Sequence, residues 1–349
     1  MKIAVVAPPY IKIPPDGYGG IETVAHQLTE GLISRGHNVT LFTIGESRSS
    51  AEMYWVFKNE QRGKLSEEPS NFLNTAMTQT IAAYLEIDRR RDFDIVHDHT
   101  WKEGLASAHF LDIPVVHTLH SPMDEENKKF YRLFTDSKKI HFVSISKFQQ
   151  KCLPELNYAG NVYNAIELES FPFSEKKEDF LLWLGRFNKD KAPHLACKAA
   201  KILKKKLVLI GKLREKKEKE YFYEKVKPYL NDQIQYIGEL AEERKKYFMS
   251  AQALLNPIQW DEPFGLVLIE AMACGTPVVS FKRGSIPEIV KDGVTGFVVD
   301  SFDDFLDSIK RVSELKPREL REYVNSNFSS EAMVSGYERV YENILGQKS

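Results

Sequence analysis

Apolar positions along this chain recur in two alternating periods. Short runs of β-forming residues, such as Ile3-Ala4-Val5-Val6-Ala7, are followed by longer stretches with apolar residues at helical spacing. In the first half the pattern predicts strands over 3–7, 38–44, 94–97, 114–118 and 140–145. Helices are predicted over 21–35, 71–88, 102–111 and 125–136, with Gly36 stopping the first. Residues 8–20 are a Pro- and Gly-rich loop. Residues 165–179, which include Phe171-Pro172-Phe173, break the pattern and read as an inter-domain linker. The alternation then restarts. Strands are predicted over 180–184, 207–210, 234–237, 252–255, 277–281 and 296–299, and helices over 193–203, 216–229, 241–250 and 265–273. Helices fill most of 302–346. Buried strands alternating with amphipathic helices predict parallel, doubly wound α/β sheets, here two in succession.

Length and charge narrow the classes. A chain of 349 residues suits two domains, and 42% hydrophobic residues can fill two cores. Lys plus Arg is 48 and Asp plus Glu is 49, a net charge of −1, which lacks the basic excess of a nucleic-acid binder. The Lys-rich stretch 198–227 reads as a solvated helix face. Cys152, Cys197 and Cys274 are odd in number and widely spaced, as thiols in a reducing compartment rather than disulfides or zinc ligands. Pro8-Pro9 ends the apolar N-terminus too early for a signal peptide, and no stretch approaches the length of a membrane span. A cytoplasmic location is expected.

The densest chemistry lies in Asp261-Glu262-Pro263-Phe264-Gly265-Leu266-Val267-Leu268-Ile269-Glu270-Ala271-Met272-Ala273-Cys274-Gly275-Thr276-Pro277-Val278-Val279. Pro263 suits a first helical turn and Gly275 a helix stop. Glu262 then lies in the loop feeding the helix, beside free N–H groups that favour an anion. Glu270 lies about two turns along, where a carboxylate can bind a sugar hydroxyl pair.

This stretch resembles the donor-site signature of the retaining glycosyltransferases of family 4. The fold implied is GT-B: two Rossmann-like doubly wound domains facing a central cleft. The expected boundaries are 1–165 for an N-terminal acceptor-side domain and 166–325 for a nucleotide-sugar domain. A C-terminal helix, 326–349, is expected to pack back on the first. Gly185-Arg186-Phe187-Asn188-Lys189-Asp190-Lys191 is similar to the family segment whose Arg and Lys grip the donor diphosphate, with Ala192 where Gly is common. The resemblance assigns Arg186 and Lys191 to the diphosphate, Glu262 to the donor sugar and Glu270 to the ribose. Phe264, Gly265 and Leu266 border the same site.

Gly17-Tyr18-Gly19-Gly20-Ile21-Glu22 is similar to the family's N-terminal glycine loop, with Gly19 and Gly20 beside the diphosphate. A dinucleotide fingerprint, with Glu46 as its acid, fits poorly because ten residues separate the strand from Gly17. His120, in His117-Thr118-Leu119-His120, matches the family histidine that contacts the donor sugar. His117 reads as a core residue. Asp98 and His99 are candidates for the acceptor side, with a strand-end hydrogen bond as an equal alternative. The four histidines match no helix-borne zinc spacing, and Asp92-Phe93-Asp94 begins its strand, the wrong end for a ligand. No metal and no cofactor are expected. Tyr163-Asn164-Ala165-Ile166-Glu167 resembles the family's junction segment, and Gly284-Ser285-Ile286-Pro287-Glu288 its Gly-Gly-x-Pro-Glu loop.

The expected activity is transfer of a hexosyl group, with retention, from a nucleotide-sugar such as UDP-glucose to the hydroxyl of a small or lipid-linked acceptor. The alternatives are a GDP-mannose-dependent mannosyltransferase, a sugar-nucleotide epimerase on the same fold, and a non-catalytic binding protein. Lys128-Lys129 and Lys138-Lys139 around Phe130-Tyr131 allow weak peripheral contact with a lipid surface; an ordinary helix face is the plainer reading.

Overall fold

The computed structural model describes residues 1–17, 19–66 and 69–346. Tyr18 of the glycine loop and the last three residues of the expected C-terminal helix lie outside them. The chain forms two units, 1–165 with 330–349, and 166–329.

In the first unit β1 (Lys2–Val6), α1 (Gly20–Ser34), β2 (Asn38–Thr43) and β3 (Glu52–Trp55) are followed by α2 (Pro69–Arg90), β4 (Ile95–Asp98) and α3 (Lys102–Ala108). Next come β5 (Val115–Leu119), α4 (Glu125–Tyr131), β6 (Ile140–Ser144), α5 (Lys147–Cys152) and β7 (Tyr158–Asn161). The strands pair in parallel in the order β3-β2-β1-β4-β5-β6-β7. β1 alternates between two cores: Ile3 and Val5 join one, Ala4 and Val6 the other. A strand buried on both faces explains the unbroken apolar run, and each such aliphatic side chain contributes about 1.5–3 kcal/mol.

The second unit carries β8 (Phe180–Leu184), α6 (Pro193–Leu203), β9 (Lys206–Ile210), α7 (Lys216–Tyr221), β10 (Ile234–Tyr236) and α8 (Arg244–Ser250). It continues with β11 (Ala253–Asn256), α9 (Leu266–Ala273), β12 (Val278–Phe281), α10 (Ile286–Ile289), β13 (Gly296–Val299), α11 (Phe302–Arg311) and α12 (Pro317–Phe328). Its parallel sheet has the order β10-β9-β8-β11-β12-β13. Both sheets reverse direction of winding beside their first strand, at β1/β4 and at β8/β11. In such folds ligands bind outside the carboxyl ends of the strands at that switch point.

The last helix, α13 (Ser330–Gly346), belongs to the first unit. Its Val334, Tyr337 and Tyr341 join the core of Ile3 and Val5. The approach to α1 is close: a Cβ on Gly31 would stand 2.4 Å from Val334 Cγ2, so Gly31→Ala would overpack the contact by about 1–3 kcal/mol.

Several expectations shift. The return to the first unit begins at Ser330, not at 326, because α12 packs against α9 and stays with the second unit. Residues 166–179 are part of the second unit rather than a free linker. The apolar pattern does not mark the edge strands β3 and β7; β7 reads Tyr-Ala-Gly-Asn, with little apolar signal. The helix expected at 125–136 gives way to a 3-10 turn at Arg132–Phe134, and that expected at 216–229 is broken by a π turn at Phe222–Val226. Among the described residues, no helix is long and apolar enough to cross a membrane.

Candidate active site

In the second unit the loops after β8 and β11 lie side by side at the switch point. Gln259 N–H donates to the Asp190 carbonyl across 2.7 Å and ties them together. Within the first loop the Asn188 side-chain oxygen accepts from Lys191 N–H at 2.9 Å, turning the chain so that Lys191 faces the second loop. Lys191 Nζ forms an ion pair with Glu262 Oε2, and both side chains are largely buried. Trp260 Nε1 donates to the same carboxylate oxygen at 3.2 Å, and the Lys191 ammonium lies 5.6 Å above the Trp260 ring. Arg186, two residues beyond β8, is exposed, and its guanidinium makes no ion pair with any described residue.

Gly265 precedes α9 with φ 93° and ψ 68°, a left-handed conformation that an L side chain rarely adopts. The helix therefore starts at Leu266. Pro263 is buried in the preceding loop and not in the first turn, which corrects that expectation. The first N–H groups of α9 lack intrahelical acceptors, as at any helix start. The loop itself is held from behind by the Gly284–Ser285 segment. Gly284 N–H donates to Asp261 Oδ1 at 3.0 Å, Ser285 N–H to the Glu262 carbonyl at 2.9 Å, and Ser285 Oγ to the Phe264 carbonyl at 3.0 Å. The Phe264 ring is buried edge-on against Phe328, so this residue anchors the loop and presents only backbone. Glu270, on α9, accepts from Arg244 Nη2 at 3.2 Å, and Arg244 Nη1 holds the Ala241 carbonyl at 3.0 Å.

A lysine neutralised by a carboxylate and a helix start are thus gathered at one strand-end crevice, and the loop that carries the lysine also carries the exposed Arg186. Such a set can take a multiply charged anion, with the lysine exchanging its carboxylate for phosphate oxygen.

The first unit places its candidates at the β1/β4 switch point. Gly19 caps α1 and Gly20 begins it. Glu22, in the first turn, is buried, and desolvation pushes its carboxyl up to about 7. Asp98 and His99 end β4. Asp98 is fully buried; Oδ1 accepts from Thr100 N–H at 3.0 Å and Thr100 Oγ1 at 2.8 Å, and Oδ2 pairs with His117 Nδ1 at 2.7 Å. His97 bonds Tyr341 OH at 2.5 Å and Thr118 Oγ1 at 2.8 Å, and Thr118 reaches Tyr337 OH at 2.9 Å. His99 Nδ1 lies 2.9 Å from His120 Nε2, while His99 Nε2 is buried without a partner. Desolvation drives the His120 imidazole down to about 3, aided by the nearby His117, and holds His97 and His99 well below the usual range. All three are neutral at pH 7.

An unpartnered buried lone pair is better tolerated than an unpartnered buried N–H. The favoured tautomer therefore has His99 Nδ1–H donating to His120 Nε2. That leaves the proton of His120 on Nδ1, as a donor. The partnered histidine nitrogens are bonded to one another, to hydroxyls or to the Asp98 carboxylate rather than converging on one point. Among the described residues, no group of three or more His, Cys, Asp or Glu is placed to hold a metal ion.

The two units match two family models: residues 18–155 that of Glycosyltransferase Family 4, and residues 166–329 that of Glycosyl transferases group 1. The chain belongs to glycosyltransferase family 4. It is 23% identical to the D-inositol 3-phosphate glycosyltransferase of Pseudarthrobacter chlorophenolicus over 334 residues, 81% of this chain and 78% of that one. Sucrose-phosphate synthase from Thermosynechococcus elongatus superposes with a TM-score of 0.81 at 20% identity, over 99% of each chain. A protein from Anabaena, solved in complex with UDP-glucose, has a TM-score of 0.72 at 15% identity, over 99% of this chain and 100% of its own. The fold is GT-B, with two Rossmann-like domains.

In this glycosyltransferase, Lys191, Glu262 and the start of α9 are brought together; Arg186 shares the loop of Lys191 and Glu270 lies further along α9. Asp98 departs from the acceptor-side expectation: its carboxylate is sealed and fully used in the strand-end bond named as the alternative. His99 is likewise buried and acts on His120 rather than on solvent. Asp92 and Asp94 are tied to Lys2 and Arg90 at the amino end of β4, away from the strand ends that bear the site. Trp260, Arg244 and Glu22 were not assigned roles from sequence. Trp260 carried a local signal, two residues before Glu262; Arg244 carried none, because it reaches Glu270 only through the packing of α8 on α9.

Proposed function

We propose that this glycosyltransferase moves a hexosyl group from a UDP-sugar, UDP-glucose first among candidates, to an acceptor hydroxyl with retention of configuration. The observation that carries the proposal is the Lys191–Glu262–Trp260 cluster at the start of α9, with the exposed Arg186 on the same loop as Lys191. It is a site for a diphosphate joined to a sugar. Arg186 and Lys191 would stabilise the charge that grows on the leaving diphosphate, a preorganised field that needs no metal. Release of Glu262 from Lys191 would free its carboxylate for the sugar hydroxyls. Glu270, oriented by Arg244, would take the ribose. Neutral His120 would donate from Nδ1 to the donor sugar. With no nucleophile assigned, retention would follow a front-face course in which the departing phosphate takes the acceptor proton. The complex of an Anabaena neighbour with UDP-glucose supports the choice of base.

The test is a binding and hydrolysis screen across UDP-, GDP- and ADP-sugars, followed by acceptor profiling with the product anomer read by NMR. Preference for GDP-mannose would replace the donor, an inverted anomer would remove retention, and interconversion of the donor sugar without acceptor would favour an epimerase.

A further inference from the structure

Trp260 touches both members of the ion pair at the start of α9. Its Nε1–H donates to Glu262 Oε2 at 3.2 Å, and the Lys191 ammonium lies 5.6 Å from the centre of its ring, within reach of a cation–π attraction. Lys191 Nζ takes the same carboxylate oxygen. The other oxygen, Glu262 Oε1, accepts from no described residue.

Packing does not account for this indole. Trp183, on β8, is a structural tryptophan: it is buried in the core of the second unit, its ring 5.0 Å from that of Phe187, and its Nε1–H donates to the Lys191 carbonyl at 3.3 Å. Trp260 is partly exposed, lies outside that core and meets no other aromatic ring among the described residues. Its backbone is nevertheless pinned on both sides. Gln259 N–H holds the Asp190 carbonyl at 2.7 Å, and Asp261 Oδ1 accepts from Gly284 N–H at 3.0 Å. A stiff side chain with a fixed root is thereby aimed at Lys191 and Glu262 rather than at the core.

We propose that Trp260 is a positioning residue, which keeps Glu262 in place for the donor sugar when Lys191 leaves it for the diphosphate. The proposal rests on the reading of this site as one for a nucleotide-sugar. Once Lys191 exchanges its carboxylate for phosphate oxygen, the ion pair no longer fixes Glu262, and a glutamate side chain is costly to order. A carboxylate with no other donor would follow the ammonium. The indole N–H stays on Oε2, because the bonds that fix its loop do not involve the Lys191 side chain, and Oε1 is left for a sugar hydroxyl. The ring face attracts the ammonium independently of the carboxylate, which eases the parting of the pair.

The experiment compares wild type with Trp260→Phe, which keeps the ring face and loses the N–H. Calorimetry measures binding of UDP, which carries the diphosphate without the sugar, and steady-state kinetics measures transfer from the nucleotide-sugar that wild type turns over. Trp260→Phe is expected to leave the UDP Kd unchanged and to lower kcat about tenfold, the scale of one hydrogen bond to a charged group, with a smaller change in donor KM. Glu262→Ala leaves the indole nothing to hold, so adding Trp260→Phe to it is expected to cost less than about twofold in kcat/KM. A wild-type kcat in Trp260→Phe, an equal loss of UDP affinity and kcat, or an undiminished further loss in the Glu262→Ala background would each overturn the proposal while leaving the site a nucleotide-sugar site. A wild type that binds none of UDP, GDP and ADP would overturn that reading, and this proposal with it.

Discussion

Arg244 Nη2 donates to Glu270 Oε1 across 3.2 Å, fixing a carboxylate on α9 from a guanidinium on α8. Both side chains are largely buried, so the bond is weakly screened. Glu270→Gln is expected to raise the donor KM with little change in kcat, because the ribose does not react. Arg244→Ala is expected to produce the same pattern more weakly, about threefold to tenfold, the scale of one oriented hydrogen bond. Steady-state kinetics at saturating acceptor checks both; a fall in kcat from Glu270→Gln would reverse its role.

The Lys191–Glu262 pair predicts coupled effects. Arg186→Ala and Lys191→Ala should each lower kcat by about 10²-fold or more, the scale for removing a donor to a developing charge. Glu262→Gln should lower kcat more than it raises KM. Because Lys191 and Glu262 touch, the double variant should lose less than the product of the two single losses. A double-mutant cycle on kcat/KM tests this, and strict additivity would show that the pair does not act as a unit.

His99 should act as a positioning residue. His99→Asn can still donate to His120 Nε2 and should keep most activity. His99→Leu cannot, and should lower kcat about tenfold, the value of one hydrogen bond. Nitrogen-15 shifts of the His120 ring read the tautomer directly: protonated Nδ1 in wild type, mixed in the leucine variant. Equal kcat in both variants would remove the role.

Two sets of groups act on stability in opposite senses across the acidic to neutral range. The folded protein depresses proton binding by His97, His99 and His120, so the unfolded chain binds more protons below about pH 6.5, and stability falls as pH drops through that window. Glu22 works in the opposite sense. Its carboxyl is raised to about 7, so between about 4.5 and 7 the folded state holds the extra proton and stability falls as pH rises. Glu22→Gln should therefore gain stability relative to wild type from pH 5 to pH 8, on the order of 3 kcal/mol at most. Urea melts at the two pH values measure the difference; a gap independent of pH would refute it.

Chelation is expected to leave transfer intact. Asp92 and Asp94 are tied to Lys2 and Arg90 at the amino end of β4, away from the strand ends that bear the site. Loss of activity with a chelator, restored by a divalent ion, would refute this.

The sequence by itself determined the doubly wound halves and the gathering of Glu262, Gly265 and Glu270 at one helix start. Strands buried on both faces, such as β1, write themselves as unbroken apolar runs, and Glu262, Gly265 and Glu270 lie within one loop and helix start. Local geometry there is set by neighbours in sequence, as the left-handed Gly265 shows. The tertiary structure decided whatever depends on residues distant along the chain. Asp98 reads as an acceptor-side acid until His117 and Thr100 close around it, and His99 reads as an acceptor-side residue until it is seen buried against His120. Arg244 has no motif because its partner is 26 positions away on another helix. The start of α13 was misplaced for the same reason. α12 and α13 have the same amphipathic period, and only the packing partner, α9 for one and α1 for the other, assigns each to its unit. Periodicity records that a face is buried; which surface buries it is a fact of three dimensions.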